Sequence, residues 1–134
     1  MNNEEKKQYL RRYQEAKKRA KRIQEEIEEL RSSKTSPVGL GDGMPHGSGT
    51  SDLSGYAARL DELLRELEAE KEMQMLTYRE IRQQIMKVPD QIEQNILIRR
   101  YLLGQNWEKI AVEMQYCYRQ ILRLHGFALR HFMR

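Results

Sequence analysis

Apolar residues near the start of the chain recur in alternating steps of four and three. Tyr9, Tyr13, Ala16, Ala20, Ile23, Ile27 and Leu30 obey this rule, and no Gly or Pro interrupts them. The spacing predicts a helix over roughly Glu4 to Arg31 with a coiled-coil seam. A second helix is predicted to run from Asp52 or Ser54, either of which can cap it, to Lys87. Its seam begins with Tyr56, Leu60, Leu63 and Leu67 and restarts with Tyr78, Ile81, Ile85 and Val88. The step from Leu67 to Tyr78 is eleven residues. It reads as a four-residue insertion that locally unwinds the supercoil. Met73, Met75 and Leu76 would fill the irregular contact, or form a Met-rich docking surface. Val88-Pro89 ends the helix, because proline pushes the preceding residue out of the α region.

The stretch Ser32 to Ser54 holds Pro37, Pro45 and five glycines between Gly39 and Gly49. Such a segment cannot sustain a helix and reads as a linker. It lacks the Gly-Lys-Ser/Thr ending of a phosphate-binding loop, which excludes nucleotide binding of that kind. His46 stands apart from any Cys or second His and reads as a solvated loop residue.

Beyond Pro89 the elements shorten. A helix from about Asp90 to Leu103 is expected to bury Ile92, Ile96 and Leu97, with Gly104 as its stop. Next comes Trp107 to Met114, with Ile110, Ala111 and Met114 on one face. After the turn Gln115-Tyr116-Cys117, residues Ile121, Leu124 and Ala128 mark the inward face of another helix. Its outward face carries Arg119, Gln120 and Arg123. Gln115 stands where many turns of this kind have Gly. Gly126 falls inside the last helix, which points to close helix packing or to a kink that re-aims Arg130 and His131. A short helix, a tight turn and a basic-faced second helix form the geometry that lays a recognition helix in the major groove. The expected fold is all-α: a long antiparallel helical (coiled-coil) hairpin followed by a three-helix helix-turn-helix domain. The expected spans are 1–33 for the first helix, 34–52 for the linker, 53–88 for the second helix and 89–134 for the helix-turn-helix domain.

Charge adds a direction. Lys and Arg outnumber Asp and Glu by ten to seven in residues 1–33 and by seven to four in residues 90–134, whereas residues 53–89 have six against seven. A basic C-terminal domain fits a polyanionic partner. The run Lys17-Lys18-Arg19-Ala20-Lys21-Arg22 reads as a solvated face or as a set of phosphate contacts. Cys117, the only cysteine, excludes an internal disulfide and fits a cytoplasmic setting. It is expected near the N-cap of the last helix. No apolar run approaches the roughly 18 residues of a membrane span. His125 and His131 are not at the spacing of a shared metal face, and no cofactor or catalytic set is expected. The chain does not read as an enzyme. Glu25, Glu26, Glu28 and Glu29 read as a solvated coiled-coil flank.

The segment Ile96 to Gly104, the run Trp107-x-x-Ile110-Ala111 and the run Arg123-Leu124-His125-Gly126-x-Ala128-Leu129 resemble region four of bacterial sigma factors. The whole chain resembles the small regulators of that type carried by prophages of Gram-positive bacteria. The resemblance implies that Arg119, Leu122, Arg123 and Phe127 face DNA. It implies double-stranded DNA as partner, with RNA polymerase as a candidate second one. A coiled-coil homodimer through the helical arm is the rival to a hairpin within one chain. On this reading Arg119, Gln120 and Arg123 read base edges, while Arg100, Lys109 and Arg130 hold phosphates. Trp107, Ile110, Ala111, Ile121 and Leu124 are structural. Leu122 and Phe127 are apolar where sigma factors carry polar or basic residues. They favour an alternative, an adaptor that docks on RNA polymerase. A DNA-packaging subunit of the small-terminase kind is a third.

Overall fold

A computed structural model describes residues 1–35 and 49–133, among which there are five α-helices and no strand. They are α1 (Asn3–Thr35), α2 (Gly49–Ile85), α3 (Gln91–Leu97), α4 (Trp107–Met114) and α5 (Tyr118–His131); a π-helical turn, Ile98–Leu102, continues α3. The all-α class read from the periodicity therefore holds for these residues. Most of the expected linker, His46 included, lies outside the described residues. The second helix starts earlier than its cap signals suggested. Asp52 and Ser54 both fall within α2, which begins at Gly49.

The helices divide into two compact units. One comprises Lys18–Glu72, the other Met1–Lys17 with Met73–Arg134. In the first, Ile23, Ile27 and Leu63 form a buried cluster, with Leu30, Leu60 and Leu67 packed against it. Arg19 reaches Glu70 at 3.3 Å. Residues early in one helix thus meet residues late in the other. In the second unit Arg12 pairs with Glu80 at 2.7 Å and Tyr13 packs edge-on against Tyr78.

The seam of α2 does not slip. Glu70 and Gln74 are half-buried and Thr77 is buried, in three- and four-residue steps that join Leu67 to Ile81. The inward positions persist but are occupied by polar side chains, which an apolar pattern cannot reveal. Met73, Met75 and Leu76, expected to fill an irregular contact, are exposed.

The core of the second unit crosses the expected boundary at residue 89. Leu10 of α1 and Ile81, Ile85 and Val88 at the end of α2 share one buried cluster with Leu97, Tyr101, Leu102, Ala128, Leu129 and Phe132. A second cluster holds Ile96, Ile110, Ala111 and Ile121, flanked by Trp107, Met114, Tyr116 and Leu124. Ile96 and Leu97 are buried as expected, but Ile92 is 40% exposed. Glu93 takes the buried place instead and accepts a 2.9 Å hydrogen bond from His131 Nδ1.

Two side chains of α1 tie this unit together. The last carbonyls of a helix have no partner within it. Lys6 Nζ, itself buried, donates to Leu129 O at 2.7 Å and Arg130 O at 3.4 Å, at the end of α5. Gln14 Nε2 donates to Tyr101 O and Leu102 O, both at 3.2 Å, at the end of the π-helical turn. A cation also suits the negative end of a helix dipole. Lys6→Met should therefore lower the stability of the whole chain by about 1.5–3 kcal/mol, the usual range for a lost charged hydrogen bond. Urea denaturation measures it; an unchanged midpoint would remove Lys6 from the account of the fold.

Candidate nucleic-acid interface

The pair α4–α5 is assembled from local signals. Asn106 caps α4: its side-chain oxygen accepts from the Lys109 backbone N–H at 2.8 Å. The helix ends at Gln115, whose φ of 61° places it in the left-handed region. Glycine adopts that conformation without strain, and a residue with a Cβ does so at a cost of about 1–2 kcal/mol. Cys117 is the N-cap of α5, with extended backbone angles and no side-chain capping bond. A thiol is a weak acceptor, so the orphan N–H groups of the first turn gain little from it.

The inward side chains of the two helices lie where the spacing put them. Ile110, Ala111 and Ile121 are buried, and Met114 and Leu124 are half-buried against them. His125 is buried as well, in an aromatic pocket. Its ring lies 4.5 Å from that of Trp107, and its Nε2 is hydrogen-bonded to the Tyr101 hydroxyl at 2.8 Å. Burial, then the nearby charges of Lys7, Arg100 and Arg11, lowers the His125 pKa from 6.5 to about 4. Burial likewise raises that of Tyr101 above 10. His125 is therefore a neutral, buried structural residue. Lys7 and Arg11 bring the charges of α1 to bear on His125, which the local pattern around residue 125 could not disclose.

The outward side of α5 exposes Tyr118, Arg119, Leu122, Arg123 and Arg130. Gln120 lies at its edge and is half-buried. Phe127 is half-buried too. The guanidinium groups of Arg123 and Arg130 lie over its ring, 5.8 and 5.5 Å from the centroid. Its apolar character thus serves to seat two arginines. The helix contains no Asp or Glu from Tyr118 to His131. Gly126 belongs to this outward side. A methyl group there would meet no atom within 4 Å, and α5 continues through it. Close helix packing, the reason expected from sequence, is therefore absent. Glycine within a helix costs about 1 kcal/mol relative to alanine, and nothing in the fold offsets it.

The remaining expected phosphate contacts differ in freedom. Lys109 is exposed in the first turn of α4. Arg100 is half-buried. Its guanidinium stacks 4.3 Å from the Trp107 ring centroid, and Nη1 donates to Gln105 O at 3.2 Å. Its neighbour Arg99 holds Asn95, Gln105 and Glu113, so the π-helical turn is fastened to α4. In the arm, Lys17, Lys18, Lys21 and Arg22 are exposed, while Arg19 is engaged by Glu70.

Among the described residues no group of three or more His, Cys, Asp or Glu could hold a metal ion, and no helix is long and apolar enough to cross a membrane. Comparison with protein families, with curated proteins and with solved structures finds no match for this chain. The exposed basic side of α5 is accordingly interpreted from its own chemistry.

Two outcomes are expected. The folded pKa of His125 lies below the unfolded value, so folding favours the neutral ring. That stabilisation is whole above pH 6.5 and is lost as the pH falls from 6.5 to 4. It amounts to about 3 kcal/mol at most. Urea denaturation at a series of pH values should show the decline, and His125→Leu should lack that part of it; parallel curves for the two proteins would refute it. Cys117→Ser should raise stability by about 0.5–1 kcal/mol by supplying the missing cap, read as a higher thermal midpoint.

Proposed function

We propose that this chain is a DNA-binding transcriptional regulator in which α4 and α5 form a helix-turn-helix and α5 enters the major groove. α1 and α2 form a coiled-coil arm on this reading. The observation that carries it is the outward side of α5. Arg119, Arg123 and Arg130 are exposed on one helix that has no carboxylate. The opposite side is fixed by buried Ile121, His125, Ala128 and Leu129, so the arginines are presented on a rigid element. Arg119 and Arg123 would read base edges, with Gln120 reaching in from the flank. Lys109 and Arg130 would hold phosphates. Arg100 would serve chiefly by keeping Trp107 and the start of α4 in place. The likeness to sigma region four, with a prophage setting, supports the same reading.

A second reading keeps the fold and changes the partner. Leu122 is 39% exposed on α5 and Val112 is 78% exposed on α4. Both favour an adaptor that docks on RNA polymerase.

Selection of bound sequences from random duplex DNA by the full chain, with and without RNA polymerase, separates the two. Arg119→Ala or Arg123→Ala should cost about 1–3 kcal/mol on a selected site and relax one position of the consensus. Lys109→Ala should weaken all sequences about equally. The logarithm of affinity should fall with that of salt with a slope of about −2 to −4, as few cations can meet phosphate at once. Enrichment only when polymerase is present would favour the adaptor. A double Arg119→Ala, Arg123→Ala variant that binds its site normally would sink the assignment of α5 as the reader.

A further inference from the structure

We infer that Gly126 is the point at which DNA comes into direct contact with the main chain of α5. This rests on the DNA-binding reading and specifies how the helix sits against its partner. Gly126 is the ninth residue of α5, inside the helix and on its outward side. Residues three and four positions away on a helix are its neighbours. Those on the outward side are Leu122, Arg123 and Arg130, all exposed. The glycine is needed neither for a left-handed backbone nor for packing, since a methyl group there would meet open space. What the missing side chain provides is external: a bare patch of helix backbone amid longer side chains. Arg123 and Arg130 both lie over Phe127, to one flank of the patch. Two cations are thus held beside the bare backbone, on a helix without acidic residues, which suits a polyanion at close range. Glycine is the residue that lets a backbone approach a ligand closely. With a side chain at 126 the helix would stand off from the groove, and Arg119 and Arg123 would fall short of the base edges.

The test is a substitution that the fold favours and the contact does not. Gly126→Ala in the full chain should raise the thermal midpoint by about 3–5 °C. It should weaken binding to a duplex of about 30 base pairs, selected by the wild-type chain, by roughly tenfold or more. Binding to random-sequence duplex of the same length should change by less than about twofold, because phosphate attraction over a distance remains. Gly126→Leu should abolish the preference for the selected duplex. Unchanged selected-duplex affinity in a stabilised Gly126→Ala protein would overturn this inference and leave the DNA-binding reading intact. So would a lowered thermal midpoint, since the fold itself would then require the glycine. Loss of RNA polymerase binding with DNA binding unaltered would assign the patch to a protein and overturn it as well. A wild-type chain that enriches no duplex would overturn the DNA-binding reading and this inference together.

Discussion

The C-terminal helices depend on a single stripe of α1. Lys6, Leu10 and Gln14 are spaced by four residues and so lie one above another on one face of that helix. Each meets a different need of the elements beneath. Lys6 supplies an ammonium to the final carbonyls of α5, and Gln14 supplies an amide to those of the π-helical turn. Leu10, fully buried between them, joins the cluster that contains Leu97 and Phe132. Helices as short as α3 and α4 are marginal by themselves, because forming the first turn is unfavourable and few residues follow to offset it. Their persistence comes from burial against residues remote in sequence and from their own caps, Asp90 and Asn106.

This support fixes what α5 presents. The helix has a buried side that serves both clusters, with Ile121 in one and Ala128 and Leu129 in the other. His125 lies between them and is accommodated because the Tyr101 hydroxyl satisfies its ring nitrogen. A polar group buried without such a partner would be destabilising. With these contacts fixed, the remaining side is exposed and carries Arg119, Arg123 and Arg130. The π-helical turn contributes indirectly. Its last two carbonyls, of Tyr101 and Leu102, accept from Gln14. In the same region Arg99 pairs with Glu113 of α4 and Arg100 lies over Trp107. Two arginines that look like free charges in the sequence are therefore partly consumed by the fold.

Much of the organisation was legible in the order of residues. The 4-3 spacing from Tyr9 to Leu30 marks α1, because burial of one helical stripe leaves a period that needs no tertiary knowledge. The ends of α4 and the start of α5 were equally plain, since caps, turns and apolar spacing act within a few residues. Ile110, Ala111 and Ile121 are buried for that reason, and Arg119 and Arg123 are exposed opposite them. Polar residues in apolar places were not legible. Glu70, Gln74 and Thr77 carry the seam of α2, Glu93 replaces Ile92 in the interior, and His125 is buried. Glu70, Glu93 and His125 each meet a partner brought from elsewhere in the chain.

The sequence by itself determined the helices, the turn and the cationic side of α5, because these follow from local periodicity and from residue chemistry at short range. Only the tertiary structure decided which cations stay free and that Gly126 is not a packing glycine. It also decided that α1 and the end of α2 belong to the core beneath α5. Those outcomes turn on distances between residues far apart in the chain. Lys6 and Leu129 are separated by 123 positions and meet at 2.7 Å. No local pattern encodes such a meeting; it arises when packing brings a donor from α1 to a carbonyl at the end of α5.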